Sequence, residues 1–311
     1  MIFRPSAITR LLMAISGLIL SGCVGAEAPA TASAFVKAPK AVRWQIPGVT
    51  EASGLASAGK AGDFLWLIND SGGGPLLHLT GTDGKSRGQI RIEFAKCLDW
   101  EDLAGFSWQG KPYLLIADAG DNEAARKSCT LYIVREPAMP RKGRVLTGSL
   151  KPEWAIEFSY PGGPRDCEAV AVDPARGKIL LISKRTNPLE IYELPLRPTG
   201  RGLVMATRIG VTDVIPPPGG FPHPFGRQPT ALDLSADGRM AAVLSYVSVF
   251  IFPRAPGESW AGAFARKPLI LPRHGLPQAE AIAFSRDGKT LFVASEGAGT
   301  PVISYQLQEK P

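Results

Sequence analysis

One motif recurs five times along this chain, and it limits the fold more than any other feature. The copies are EASGLAS (51–57), DWEDLAG (99–105), DCEAVAV (166–172), QPTALDL (228–234) and QAEAIAF (278–284). Each is followed by a turn and then by an apolar run: FLWLIND, PYLLIAD, KILLISK, MAAVLSY and TLFVASE. Two of the turns, SADGR and SRDGK, carry Asp-Gly, a strong hairpin signal. The third residues of the first strands are Ser53, Glu101, Glu168, Thr230 and Glu280; the last residues of the second strands are Asp70, Asp118, Lys184, Tyr246 and Glu296. The offsets between these two sets are 17, 17, 16, 16 and 16 residues, and successive copies start 48, 67, 62 and 50 residues apart. That period matches one four-stranded propeller blade.

Further β-patterned runs complete the blades. LLHLTGT and GQIRIEF extend blade 1, TLYIVRE and EWAIEFSY blade 2, LEIYELPL and VMATRIG blade 3, and VFIFPRA and KPLILPR blade 4. Blade 5 has PVISYQL and then the chain ends, so AVRWQIPG (41–48) is expected to supply its outer strand and close the ring without an orphan edge. The expected fold is all-β: a five-bladed β-propeller closed by an N-terminal strand. Six blades are the alternative if a degenerate blade lies within 200–227, where GGFPHPFGRQP reads as loop. The 34 glycines and 28 prolines suit a chain of many short strands and turns.

The N-terminus reads as something other than fold. Arg4 and Arg10 precede LLMAISGLIL, and the run closes on Leu20-Ser21-Gly22-Cys23. That is a secretory leader whose end resembles the lipobox of bacterial lipoproteins. The resemblance implies cleavage before Cys23, lipidation of that thiol, and a membrane anchor. Val24, in place of an acidic residue, suggests by analogy the periplasmic face of the outer membrane. The expected organisation is therefore a signal peptide over 1–22, a lipidated cysteine and flexible tether over 23–41, and the propeller over 42–311. Loss of the leader lowers the formal net charge of +7 by two. Charge this mild and dispersed, with no nucleic-acid-binding motif, argues against nucleic acid as a partner. A monomer is expected. An exported chain permits a disulfide. Cys97 precedes the first strand of blade 2 and Cys129 opens its third, so these two are expected to pair, which leaves Cys167 free.

In a propeller the first strand of each blade lines the central channel. The starts of the first strands and the ends of the second strands therefore converge on one mouth. Up to nine carboxylates meet there: Glu51, Asp99 and Asp166; Glu101, Glu168 and Glu280; Asp70, Asp118 and Glu296. They face a single lysine, Lys184. Like charges this close need neutralising, and an all-oxygen set suits Ca²⁺ or Mg²⁺. The expected metal ligands are Asp70, Glu101, Asp118, Glu168, Glu280 and Glu296. Glu101, Glu168, Lys184, His223 and His274 are the candidate catalytic groups, and Arg165, Arg185, Arg227 and Tyr246 the candidate substrate-binding ones. Carboxylates for a metal with guanidiniums around them suit a small anionic substrate such as a phosphoester. Any one of these acids could equally bond backbone N–H groups of the next blade.

The strings SGLA…LWLINDSG, DWEDLA, LLIADAGDN, CTLYIVREP, YPGGPRDCEAVAVDP, LLISK and AEAIAF…ASEG resemble exported bacterial β-propeller proteins of uncharacterised function, over essentially all of 43–307. That group is linked to phytase-like and esterase-like propellers and, more remotely, to gluconolactonase-like and NHL/WD40-like ones. The resemblance implies the propeller and, more loosely, a metal-dependent hydrolase of a phosphate ester, carboxylic ester or lactone. Phytase propellers have six blades, whereas five are countable here. A ligand- or protein-binding scaffold of the cell envelope is the alternative, and a glycosidase using channel carboxylates ranks below both.

Overall fold

A computed structural model of the chain describes residues 35–38, 40–59, 62–200, 202–217 and 225–308. Cys23 and His223 lie outside the described residues. Five small, mainly antiparallel sheets form the five blades. Their inner strands are Ala52–Ala58, Trp100–Trp108, Ala169–Asp173, Pro229–Leu234 and Ala279–Phe284. Each packs on the next and the fifth packs on the first, so the ring is closed. Among the described residues there is no sixth sheet.

The inner strands are nearly all buried and rich in Ala, Ser and Gly, because they crowd around the axis. Gly54 shows how tightly: a Cβ there would lie 2.6 Å from the backbone nitrogen of Leu103 in the next blade. The second strands are almost continuously apolar, since both of their faces pack between blades; Phe64–Asn69 and Lys178–Ile182 are examples. The outer strands, such as Trp154–Ser159, alternate buried and exposed residues, as half-solvated strands do. Both Asp-Gly hairpins form as expected. Asp237 accepts from Ser235 Oγ and Arg239 N, and Asp287 repeats this with Ser285 and Lys289. Gly238 and Gly288 take the positive φ (66° and 70°) that such turns need.

Ring closure differs from expectation in its residues. Only Val42–Arg43 of the 41–48 segment pairs with the last strand, Pro301–Leu307. The longer contact comes from Phe35–Lys37, within the stretch that composition reads as tether. Phe35 explains it: its ring is buried against Phe284, and burying a phenylalanine is worth about 2–3 kcal/mol. Lys37 then reaches the carbonyls of Arg273 and His274. A second difference is that Val204–Met205 pairs in parallel with Trp154–Ser159 of blade 2, leaving Thr207–Thr212 as the outer strand of blade 3.

The expected Cys97–Cys129 bridge does not form; Cys97, Cys129 and Cys167 are all free. The sheet of blade 2 stands between the first two. Cys97 packs with Leu114, Ile116, Tyr132 and Val134 on the face toward blade 1. Cys129 packs with Leu115, Ala117, Leu131 and Ile133 on the face toward blade 3. Burial raises both thiols to about 12, and it raises Cys167 further still. None is poised as a nucleophile.

Candidate functional site: a carboxylate mouth

A backbone irregularity aims the mouth residues. In four inner strands the pairing register shifts at the same place: between Ala52 and Gly54, Trp100 and Asp102, Pro229 and Ala231, and Ala279 and Ala281. The residue skipped each time is Ser53, Glu101, Thr230 or Glu280. A bulge of this kind re-aims a side chain out of the normal alternation. In blade 3 regular pairing begins at Ala169, immediately after Glu168. The second-strand ends lie alongside, as expected: Asp70 N bonds Glu51 O, Lys184 N bonds Asp166 O, and Glu296 N bonds Gln278 O.

The bulge position has a structural use, and two of the five residues show it. Ser53 donates its hydroxyl to Trp100 O at 2.6 Å, and Thr230 donates to Ala279 O at 2.8 Å. Each bond stitches one blade to the next. Among the described residues, Glu101, Glu168 and Glu280 make no such stitch to the next blade.

The acids separate into those already satisfied and those that are not. Asp118 meets Arg126 at 2.8 Å and accepts from Leu98 N and Asp99 N, so its oxygens are committed. Asp166 accepts from Asp121 N at 3.0 Å and from Arg185 Nε at 2.6 Å, while Arg185 also holds Asn122. Glu168 Oε1 bonds Lys184, which also meets the Tyr246 hydroxyl at 3.0 Å; that hydroxyl donates to Glu280 at 2.9 Å. Glu168 Oε2 is buried with no hydrogen-bond partner. Glu101 is 4% exposed, and among the described residues its carboxylate receives neither a hydrogen bond nor an ion pair.

Glu101 belongs to two groups whose oxygens lie within 4.8 Å of one another: Asp70, Asp99 and Glu101, and Glu101, Asp166 and Glu168. Asp99 and Asp166 were not among the expected ligands. They sit two residues before the bulge, and in a regular strand that spacing already places them on one face with Glu101 and Glu168. Gly120 makes room for the first group: a Cβ there would lie 2.3 Å from Glu101 Oε1 and 2.5 Å from Asp99 Oδ2.

The proton affinities reflect this crowding. Burial, then the charges of Glu168, Asp70 and Asp99, push Glu101 well above the ordinary glutamate value. Burial and the neighbouring Asp99 raise Asp70 to about 7. Burial and the neighbouring Glu280 raise Glu296 to about 9. Burial lifts Glu168 too, against the pull of Lys184. For Lys184 burial works toward neutrality, but Glu168 and Tyr246 outweigh it and the ammonium stays charged.

Several expected site residues are engaged elsewhere. Arg165 bonds Glu190 at 2.6 Å and three loop carbonyls. Arg227 is spent on the carbonyls of Ile215 and Asp213. His274 is buried; its Nδ1 accepts from Leu276 N, which leaves Nε2 to donate to Ser245 O, and burial lowers it to about 4. Trp100, the neighbour of Glu101, is wholly buried and packs against Tyr132.

Two further acids mark the axis below the mouth. Asp102 Oδ1 accepts from Leu103 N at 2.9 Å, and Oδ2 accepts from Val170 N at 2.8 Å and Leu232 N at 3.0 Å, which links blades 2, 3 and 4. Asp233 joins its own strand to Phe284 N of blade 5 at 2.7 Å. In the repeat, Asp102 stands where the other blades have Gly54, Ala169, Ala231 and Ala281, and Asp233 where they have Ala56, Ala104, Ala171 and Ala283. An acid alone in a column of small residues was the available signal. A cavity of ≈ 240 Å³ opens on the face away from the mouth, over Asp233 and Phe284; neither carboxylate group lies in it.

No protein-family model and no curated protein matches the chain.

Proposed function

We propose that the propeller binds a divalent cation at its carboxylate mouth and uses it to hydrolyse a neutral ester or lactone, as an envelope-anchored protein. The observation that carries this reading is Glu101, a buried carboxylate without a partner that is common to two groups of convergent acids. The donor set is all oxygen, which fits Ca²⁺ or Mg²⁺ rather than softer ions. Glu101 and Glu168 would hold the ion, with Asp99 and Asp70 on one side and Asp166 on the other. Such an ion supplies a Lewis acid and an activated water. Lys184 fixes Glu168, and Arg185 with Asp121 N fixes Asp166, so the donors are held in place by their neighbours.

The phosphoester reading loses support. Of the cations once assigned to an anionic group, Arg165 and Arg227 bond elsewhere, while Lys184 and Arg185 are paired with mouth carboxylates. A mouth this acidic favours a substrate without negative charge. Envelope anchoring rests on the leader and the lipobox-like Leu20–Cys23, with the membrane as partner through Cys23. The likeness of the repeat strings to exported, esterase-like propellers favours the same compartment and chemistry.

A second reading is a binding scaffold whose cation is purely structural. It is favoured by the state of three candidate bases and nucleophiles: His274 and Cys167 are buried, and Lys184 is sequestered. Calorimetric titration of the chelated chain with Ca²⁺ and Mg²⁺, followed by a screen of neutral ester and lactone substrates, tests both readings. The hydrolase reading requires turnover that chelation and Glu101→Gln abolish. Metal binding without turnover supports the scaffold, and absence of metal binding overturns the cation site itself.

A further inference from the structure

The mouth divides into two halves that differ in what balances their charge. On the side of blades 1 and 2, Asp70, Asp99 and Glu101 lie together, and among the described residues no cation is bonded to the Glu101 carboxylate. On the side of blades 3 to 5, Glu168, Tyr246 and Glu280 form a connected set with Lys184 at its centre. Lys184 Nζ bonds Glu168 Oε1 and Tyr246 Oη, and Tyr246 bonds Glu280. The Lys184 side chain is 5% exposed, so its ammonium lies inside the ring.

The repeat shows what is unusual about this. Lys184 occupies the second-strand position at which the other blades carry Asp70, Asp118, Tyr246 and Glu296. It is the one basic residue in that column. Of the other cations at the mouth, Arg126 reaches Asp118 and Arg185 reaches Asp166, both toward the rim. Among the described residues, only Lys184 reaches an acid of the inner ring. Its partner Glu168 keeps Oε2 buried and unpartnered, as expected of a donor set that one ammonium cannot satisfy by itself.

We infer that the Lys184 ammonium stands in for a metal ion between Glu168 Oε1 and Glu280, and thereby confines bound cation to the Glu101 side of the mouth, with Glu168 left only its Oε2 to offer there. Lys184 is in this sense a specificity-determining residue that sets how many ions the propeller holds. The inference deepens the cation-binding reading above. Removing the ammonium while keeping the carboxylates creates a second acidic half that a divalent ion can enter.

The test is ion stoichiometry on the purified full chain, with Ca²⁺ as the probe, by calorimetry after chelation and by elemental analysis after gel filtration. Lys184→Met is expected to hold one ion more per chain than the wild type, and Lys184→Gln the same if the methionine variant does not fold. Adding Glu280→Gln to either is expected to remove the extra ion. In the wild type, Glu280→Gln is expected to leave the number unchanged while Glu101→Gln lowers it. An unchanged number in a folded Lys184 variant overturns the inference, even if that variant binds more tightly. So does loss of the wild-type ion on Glu280→Gln. A wild type that binds no ion overturns the function proposed above; one ion in the Lys184 variant would still uphold the present inference, and none would end both.

Discussion

Replacing Asp102 by alanine tests whether one side chain ties the axis of the propeller together. Its carboxylate accepts backbone N–H groups from Leu103, Val170 and Leu232, at 2.8 to 3.0 Å. Alanine fits the local backbone, since three of the other four blades carry it at this position. The cost therefore comes from the stranded donors rather than from strain. Each buried unpaired donor costs about 1–3 kcal/mol, so three suggest about 3–9 kcal/mol before any compensation. Part of this is offset because the burial of Asp102 is itself unfavourable: it pushes the carboxyl well above its ordinary value against all three hydrogen bonds. A net loss of about 2–5 kcal/mol is expected, a large share of the ~5–15 kcal/mol typical of a folded domain. Urea unfolding followed by tryptophan fluorescence at pH 7 would measure it. Asp102→Asn keeps one oxygen, which can retain Val170 and Leu232 while its amide faces Leu103 N–H, so it should lose only about 1–2 kcal/mol. The reasoning is refuted if Asp102→Ala unfolds within about 0.5 kcal/mol of the wild type, or if asparagine is the worse substitution.

Four other outcomes are expected. Asp233 is raised by burial to about 7 from 3.8, so its contribution to stability is complete below pH 3.8 and declines as the pH rises toward 7. Asp233→Asn should flatten that slope, worth up to about 4 kcal/mol across the window, in melting curves recorded from pH 4 to 8. Glu101→Gln should weaken Ca²⁺ binding at least about tenfold without lowering the melting temperature of the metal-free chain. Deleting residues through Lys40 exposes the edge of Pro301–Leu307 and strips Phe35 from the core; a loss of about 2–4 kcal/mol and concentration-dependent association should appear in unfolding and light scattering. Non-reducing peptide mapping should find no Cys97–Cys129 bridge, and reductant should leave the melting temperature unchanged.

Five blades and most of their strands were legible because the repeat records them directly: a small-residue inner strand, a hairpin turn and an apolar second strand, at constant offset. The mouth was legible for the same reason, since equivalent positions in a ring must converge. What could not be read was partnership. Asp118 and Glu101 occupy similar sequence contexts, yet Arg126 holds the first while no described residue holds the second, and only three-dimensional neighbours distinguish them. The proposed disulfide failed because proximity along a blade says nothing about which face of the sheet a side chain takes. Phe35–Lys37 was missed because a three-residue strand carries no periodicity of its own; its signal was a single aromatic residue in an otherwise bland segment. The bulge at Glu101 was hidden in the one-residue difference between offsets of 17 and 16, which mixes bulge and turn length.

The bond from Asp102 to blade 4 has a consequence for traffic. With inner strands close enough that Gly54 cannot carry a Cβ, and a carboxylate bridging three of them, the axis is a stoppered well. Whatever enters at the carboxylate mouth must leave by the same door. A long polymer cannot thread through to be processed stepwise along its length; only a free molecule, a chain end or a protruding side group can reach Glu101. Departure of one molecule and arrival of the next therefore exclude each other.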